Sequence, residues 1–215
     1  LIAAASRHNR ILQCGHLERF NPAILAIEQR ATVPLFFEIH RMSIFTPRAL
    51  DVDVVLDLMV HDLDIVLALD RSGVVSIDAV GVPVFSEQED IANVRLRFAS
   101  GCVANLTASR VSLEKMRKIR IFEANAYVST DYSAQEVVVY RKRAGVIPAD
   151  ANPMEHIEIE PLEVQKEEPL RAELAHFVAC VRTGSTPAVT AEDGIRALEL
   201  LREAGVSQLH SRKLR

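Results

Sequence analysis

An aspartate and a histidine four residues apart are the side chains of this 215-residue sequence best suited to chemistry. Asp57 and His61 lie in a segment made mostly of valine, leucine, isoleucine and methionine, and residues four apart stack on one side of an α-helix. Asp53 and Asp64 extend this stripe by one turn in each direction. A carboxylate that holds an imidazole in apolar surroundings can act as a general base towards a hydroxyl group.

Three interpretations of this stripe remain open at the level of spacing. In the first, His61 is a core histidine and the aspartates are helix caps or surface residues. In the second, Asp57 and His61 bind a metal together with His16 or His40, but no spacing requires this and we predict no metal site. In the third, the aspartate and the histidine form an acid–base pair for the oxidation of a hydroxyl.

The elements that must position these residues are predicted from hydrophobic periodicity. Helical spacing predicts helices at residues 1–9, 22–30, 51–69, 169–183 and 191–204. Alternation with a period of two predicts strands at residues 10–14, 35–41, 76–80, 92–98, 103–109, 117–122, 126–132, 136–141 and 156–161. Short turns join most of these strands, so we expect a large, open, mostly antiparallel sheet with helices on one face, an α+β fold.

The two C-terminal helices each have an apolar stripe that we expect to face the core. In the first helix the stripe consists of Leu170, Leu174, Phe177, Val178 and Val181. The second is amphipathic, with Ile195, Leu198, Leu201 and Arg202 spaced by three or four residues. Thr190 precedes an acidic first turn and is the expected N-cap of the second helix.

Composition and charge exclude several classes of protein. The formal net charge is −4, which argues against a nucleic-acid partner. No apolar run approaches the roughly 20 residues of a membrane span. The three cysteines, Cys14, Cys102 and Cys180, include no C-x-x-C pair, which disfavours a disulfide framework or structural zinc and favours a cytoplasmic location.

Two motifs together carry a resemblance to a known family. The first is Gly-His-Leu-Glu-Arg-Phe-Asn-Pro at residues 15–22, and the second is Asp-Leu-Met-Val-His-Asp-Leu-Asp at residues 57–64. In this order and spacing they resemble the glucose-fructose oxidoreductase, inositol dehydrogenase and rhizopine-catabolism family. The likeness continues through residues 107–110 and the helix that starts near Pro169.

The resemblance implies an NAD- or NADP-dependent enzyme that oxidises a secondary hydroxyl of a sugar or nucleotide sugar, with UDP-N-acetylglucosamine at C3 favoured by the first motif. It makes His61 the proton acceptor and Asp57 its partner, and it places Arg19 and Asn21 near the cofactor. The residues expected to bind substrate are Asp62, Asp64 and Arg110.

The sequence departs from the family pattern in the segments that would bind the nucleotide cofactor. The eight glycines form no G-x-G-x-x-G turn, and the Glu-Lys-Pro segment with the family's catalytic lysine is absent. Residues 1–15 are therefore expected to be the remnant of a Rossmann domain, and residues 16–215 the substrate-binding, catalytic and oligomerisation domain. We expect no turnover from this chain alone and a homodimer or tetramer formed through the sheet face. The alternative is a non-catalytic oligomerisation or ligand-binding module.

Overall fold

The structure, a computed structural model, describes residues 1–30, 33–49, 51–143, 145 and 152–203, apart from the side chain of Pro153. The last twelve residues of the expected second domain, 204–215, lie outside the described residues. In the part of the chain that the structure describes, no helix is long and apolar enough to cross a membrane.

An eight-stranded sheet forms the centre of the fold, in the order β2-β3-β4-β1-β5-β6-β7-β8. The strands are β1 (Phe36–Met42), β2 (Val74–Val82), β3 (Ile91–Phe98), β4 (Val103–Ser109), β5 (Met116–Phe122), β6 (Ala126–Asp131), β7 (Glu136–Lys142) and β8 (Ile157–Pro161). The neighbours β1 and β4 are parallel, and every other adjacent pair is antiparallel. The predicted mostly antiparallel sheet is therefore confirmed.

One face of the sheet is buried and the other is open. Residues along the central strands alternate between buried and partly exposed, as period-two patterning requires. The buried face includes Phe37 and Ile39 on β1 and Leu106 on β4, all with no exposed area. The helices of residues 22–29 and 60–69 pack on this face, so the predicted α+β layer is confirmed.

Five helices are described: α1 (Ile2–Arg7), α2 (Pro22–Gln29), α3 (Val60–Leu69), α4 (Pro169–Thr183) and α5 (Ala191–Glu203). Asn21 caps α2, since its side-chain oxygen accepts a hydrogen bond from the Ala23 amide at 3.1 Å. Thr190 begins α5 as predicted: its hydroxyl accepts from the Asp193 amide, and the Asp193 carboxylate accepts from the Thr190 amide. This reciprocal capping satisfies two amides that no helical carbonyl can reach.

Two predicted elements, at residues 10–14 and 51–69, differ in the structure. Residues 10–14 form no strand, because their backbone has no partner strand and is joined to the fold by the Cys14 amide, which donates to the Val189 carbonyl. The helix predicted at residues 51–69 begins as a π-helical turn at Val55–Met59 before α3. Asp53 caps this turn by accepting from the amides of Val55 and Leu56.

The predicted inward stripes of α4 and α5 are partly wrong. Most of the α4 stripe is about half exposed: Leu170, Leu174, Val178 and Val181. On α5, Ile195 and Leu198 are exposed as well, whereas Leu200 and Leu201 are buried. The buried positions of α4 are Glu173 and Cys180, so this helix rests on the domain by its more polar side.

Candidate active site

The π-helical turn at Val55–Met59 leads directly into α3 and carries Asp57. A π turn closes hydrogen bonds from residue i to i+5 and is often found at functional sites. Asp57 is partly buried within it, and His61 follows in the first turn of α3. Packing of α3 on β1 and β4 brings this end of the helix over the buried face of the sheet.

The imidazole of His61 is largely buried and lies beside a second imidazole. Its ring meets that of His16 edge to face, with the ring centroids 5.7 Å apart. Burial lowers the pKa of His61 to about 4, and the positive charge of Arg41 and the His16 ring act in the same direction. The ring is therefore unprotonated near neutral pH, as a proton acceptor must be.

No hydrogen bond joins the side chains of Asp57 and His61 in the structure. Nδ1 of His61 is enclosed and has no hydrogen-bond partner among the described residues. The charged or ring groups that most affect the His61 pKa are Arg41, His16, Asp62 and Arg117. The physical reason is the π turn, in which residue i+5 takes the place that i+4 has in an α-helix. The catalytic roles of both residues stay predictions.

Beneath His61, Asp62 belongs to a buried ionic network. Its carboxylate accepts two hydrogen bonds from the Arg41 guanidinium, at 2.8 and 2.9 Å, and one from the Tyr132 hydroxyl at 2.7 Å. Asp62 is 1% exposed and Tyr132 is equally enclosed. Burial raises the pKa of Tyr132, and the neighbouring carboxylate adds to this, so the hydroxyl stays protonated and donates. Asp62 thus positions α3 on the sheet, and a substrate contact finds no support in this geometry.

Glu18, from the 3-10 turn at Leu17–Phe20, extends the same network. Its carboxylate accepts from Arg41 at 3.3 Å, from Arg117 at 3.1 Å and from the Asn21 amide group at 3.2 Å. Glu18 is 3% exposed, whereas about half of the Arg117 side chain remains exposed. The network therefore links the first motif, β1 and β5 to the helix that carries His61.

The residues expected near a cofactor are held by other protein groups. The Asn21 amide group also donates to the Tyr132 carbonyl at 2.8 Å, so the side chain is a buried connector. Arg19 forms ion pairs with Glu28 at 3.2 Å and Asp64 at 3.7 Å. Neither side chain is presented as a free ligand in this geometry, and their cofactor role stays a prediction.

Asp64 and Arg110, both expected to bind substrate, lie in different places. Asp64 is buried on α3 near His16, and burial raises the pKa of its carboxyl group. Arg110 is 4% exposed, and its guanidinium donates to Asp90 at 2.8 Å and to the carbonyls of Ala49 and Val52. Because these hydrogen bonds use its donors, Arg110 connects loops of the protein. This geometry does not support a contact between Arg110 and substrate.

Within the part of the chain that the structure describes, no evident set of residues would hold a metal or a dinucleotide. Among the described residues, no group of three or more histidine, cysteine, aspartate or glutamate side chains is arranged to bind a metal ion. The 215 residues also contain no glycine-rich turn for a pyrophosphate. The residues present therefore do not fit the phosphates of NAD or NADP.

The network of Glu18, Arg41 and Tyr132 was not identified from sequence. One signal was available: Arg41 shares a side of the predicted strand with Phe37 and Ile39, which means a charge on the buried face. A buried arginine needs a buried acid close by. The partner lies 21 residues away in sequence, and only the fold brings the two together.

Comparison with known proteins agrees with this architecture. The family model described as GFO/IDH/MocA C-terminal domain matches residues 25–128. UDP-N-acetylglucosamine 3-dehydrogenase from Acidithiobacillus ferrooxidans is 35% identical over 182 residues, which are 84% of this chain and 57% of that protein. A solved structure of that organism's UDP-N-acetylglucosamine 3-dehydrogenase GnnA has a TM-score of 0.87 and 32% identity, covering 98% of this chain and 67% of its own.

The chain therefore belongs to the GFO/IDH/MocA family of oxidoreductases. It spans 57% of the length of the curated relative that it matches. The aldose-aldose oxidoreductase of Caulobacter crescentus has a TM-score of 0.76 at 22% identity, covering 97% of this chain and 64% of its own, and this likeness concerns the fold alone. The predicted family is thus confirmed.

Proposed function

We propose that this chain is the substrate-binding half of an NAD- or NADP-dependent dehydrogenase that oxidises a secondary hydroxyl of a nucleotide sugar. UDP-N-acetylglucosamine, oxidised at C3, is the proposed substrate because the similar A. ferrooxidans proteins carry that activity in their names. The observation that supports the chemistry is a largely buried imidazole whose pKa is lowered to about 4, next to a buried ionic network.

In this proposal His61 accepts the proton of the substrate hydroxyl. Nε2 is the proposed acceptor, since Nδ1 is enclosed by protein. Asp62 and Arg41 hold α3 on the sheet, which fixes the direction of the ring. Asp57, at the partly buried π turn, is proposed to contact substrate or to approach His61 once substrate is bound.

We further propose that the dinucleotide is bound by polypeptide outside these 215 residues. The chain has neither the glycine-rich turn nor the Glu-Lys-Pro segment of the family pattern. Purified chain mixed with UDP-N-acetylglucosamine and NAD or NADP is therefore expected to produce no reduced cofactor. Steady production of NADH or NADPH by the chain alone would contradict this part of the proposal.

Substrate binding can be tested on the chain itself by NMR of its histidine rings. UDP-N-acetylglucosamine should shift the ring signals of His61, and its 3-deoxy analogue should shift them much less, because it has no hydroxyl to meet Nε2. His40 lies on the open face of β1 and is the internal control. Equal shifts of His61 with both ligands, or none with either, would count against His61 as the base.

A specific feature supports homo-oligomer formation as a second role. Four aromatic rings cross the open sheet face in a row, from Phe36 through Phe122 and Tyr127 to Tyr140. Their centroids are 5.0 to 5.8 Å apart, and Phe122 is 38% exposed. Exposed apolar rows of this kind are characteristic of association surfaces. We propose that a second copy of the chain covers this face, in a dimer or tetramer.

A further inference from the structure

One arginine on the helix-covered face of the sheet remains exposed. Arg117, near the start of β5, lies directly opposite Arg41 of β1, so the two side chains are on the same face of the sheet. Farther along these strands, Ile39 and Ile119 form another pair on that face, and neither has any exposed area. The Arg117 side chain is nevertheless 48% exposed, against 4% for Arg41. The helices therefore leave an opening over this end of β5.

Arg117 is held at this opening by a buried carboxylate. Its Nη1 donates to Oε1 of Glu18 at 3.1 Å, which is the one side-chain hydrogen bond that Arg117 makes among the described residues. The same oxygen also accepts from Arg41, so it neutralises the charge of Arg117 only in part. Because a guanidinium has five N–H donors in a planar fork, most of the fork remains available to a ligand while one end is fixed.

The opening lies within electrostatic range of the candidate base. Burial is the main cause of the lowered pKa of His61, and the positive charges of Arg41 and Arg117 act in the same direction. A chain of hydrogen bonds also connects the two sites. Glu18 joins Arg117 to Arg41, and Arg41 binds Asp62, the residue that follows His61. A ligand at Arg117 can therefore extend to the base.

The two other arginines of this region are occupied by protein groups. Arg41 is buried, and its guanidinium donates to the carboxylates of Asp62 and Glu18. The side chain of Arg19 is 11% exposed and forms ion pairs with two carboxylates. Of the three arginines, Arg117 is thus the one whose donors an anionic ligand can reach in the part of the chain that the structure describes.

We propose that Arg117 binds the diphosphate of a nucleotide sugar whose C3 hydroxyl lies at His61, and that it makes the site prefer a nucleotide-linked sugar to a free one. The inference rests on the proposed function and adds a substrate-positioning residue to it. In such a sugar C1 carries the diphosphate and C3 carries the reacting hydroxyl, with only C2 between them, so the anion must lie close to the base. Arginine suits this role because its fork can donate two parallel hydrogen bonds to a phosphate.

Titration of the chain with three ligands tests the proposal. The probes are UDP-N-acetylglucosamine, UDP and free N-acetylglucosamine, and the NMR signals of the chain report binding. Arg117→Gln should lower the affinity for UDP-N-acetylglucosamine and for UDP by about ten-fold, the lower end of what hydrogen bonds to charged groups contribute, because the guanidinium is half exposed. The affinity for N-acetylglucosamine should not change. Arg117→Lys keeps the charge without the fork and should recover part of the loss.

Arg120→Gln is the matched control. Arg120 lies three residues farther along β5 on the open face, is 39% exposed, and donates from Nη1 to Glu38 at 3.1 Å. It therefore matches Arg117 in strand, exposure and ion-pair distance but not in position relative to His61. Arg120→Gln should leave all three affinities unchanged. Equal losses in Arg120→Gln and Arg117→Gln would mean that overall charge attracts the nucleotide, and would overturn the proposal.

A purely structural role for Arg117 predicts a different pattern. If Arg117 only stabilised the network around Glu18, Arg117→Gln would weaken the binding of N-acetylglucosamine as much as that of UDP-N-acetylglucosamine. Salt provides a second measurement. Added sodium chloride should weaken the binding of UDP to the parent chain and have a smaller effect on Arg117→Gln, because a screened charge is no longer present. The same salt dependence in both chains would contradict a diphosphate contact.

This inference and the proposed function can fail separately. If UDP binding depends on Arg117 but UDP-N-acetylglucosamine leaves the His61 ring signals unchanged, the diphosphate contact stands and the proposed base does not. If N-acetylglucosamine or its UDP-linked form shifts the His61 signals equally in the parent chain and in Arg117→Gln, and UDP binds neither chain, the base stands and the diphosphate contact is wrong.

Discussion

At the scale of single residues, His61 is notable because the protein keeps it neutral. In the unfolded chain its pKa is near 6.5, and in the folded protein burial lowers it to about 4. Between these two pH values the unfolded chain binds a proton that the folded chain does not. The titration of His61 therefore does not affect the free energy of unfolding above about pH 6.5. As the pH falls from 6.5 towards 4, this titration lowers the free energy of unfolding.

This difference predicts a pH-dependent effect of His61→Gln. The lowered pKa reduces the free energy of unfolding by about 3 kcal/mol in full, and this full effect is reached only near pH 4. Relative to the parent chain, the variant should therefore gain stability steadily as the pH is lowered from about 7 to about 4.5. Urea unfolding at several pH values measures the gain, and a stability difference that does not change with pH would contradict the neutral, buried ring.

Asp62 is the residue whose charge the network depends on most. Replacement by asparagine removes the closer of the two carboxylates that neutralise the buried guanidinium of Arg41 and leaves only Glu18, at 3.3 Å. Breaking a buried ion pair typically costs about 3–5 kcal/mol of unfolding free energy, and because Glu18 remains we expect the lower end of this range. The matched control is Glu160→Gln, which breaks a half-exposed ion pair with Arg141 at 3.6 Å and should cost less than about 1 kcal/mol. Urea unfolding of both variants tests the difference, and similar small effects would show that the network contributes little.

At the scale of elements, the contact between α5 and the segment before the first motif depends on a glycine. A Cβ atom at Gly194 would lie 2.6 Å from Sγ of Cys14 and 4.0 Å from Nε2 of His16. Helix propensity alone predicts that alanine at this position would stabilise α5 by about 1 kcal/mol. The close approach predicts the opposite sign, because an extra methyl group in a packed contact costs about 1–3 kcal/mol.

Substitutions at Gly194 and Cys14 separate the effect of helix propensity from that of the close contact. Gly194→Ala should lower the free energy of unfolding in the parent chain, and it should raise it in a Cys14→Ala background, where the sulfur is gone. Urea unfolding of the two single variants and the double variant completes the cycle. If Gly194→Ala has the same effect in both backgrounds, the contact with Cys14 does not limit the packing of α5.

The exposed apolar stripe of α4 shows that helical periodicity does not by itself predict which side of a helix is buried. Leu174 and Val178 have the spacing of a core-facing helix side, yet both remain about half exposed. The helix is held instead through Glu173 and Cys180, and through His176, which accepts a hydrogen bond from the Ala188 amide at 2.9 Å. An apolar stripe predicts that a helix has an apolar side, but it does not predict which surface covers that side.

At the scale of the whole molecule, the open sheet face is the surface from which assembly can be predicted. Tyr127 is the third ring of the aromatic row and stacks on both Phe122 and Tyr140. Tyr127→Arg should place a charge in the middle of the proposed contact and convert oligomers to single chains. Sedimentation velocity measures this, and Leu113→Arg, at a residue that is 95% exposed, is the control. An unchanged sedimentation profile for Tyr127→Arg would exclude the open face as the contact.

The sequence by itself determined the family, the α+β layer and the candidate base. Alternation with a period of two is a local property that identifies strands of a sheet, and the two octapeptide motifs at residues 15–22 and 57–64 are local as well. The helix and strand that carry His61 and Arg41 could therefore be predicted.

Only the tertiary structure decided which side chains meet. Asp57 lies in the π turn at Val55–Met59 and makes no hydrogen bond to His61, although their spacing suggested contact. The Arg41–Asp62–Tyr132 network joins residues up to 91 positions apart, and His16 approaches His61 across 45 positions. Such pairings depend on how strands and helices pack, and because many distant residues could pair, a single sequence does not specify which ones do.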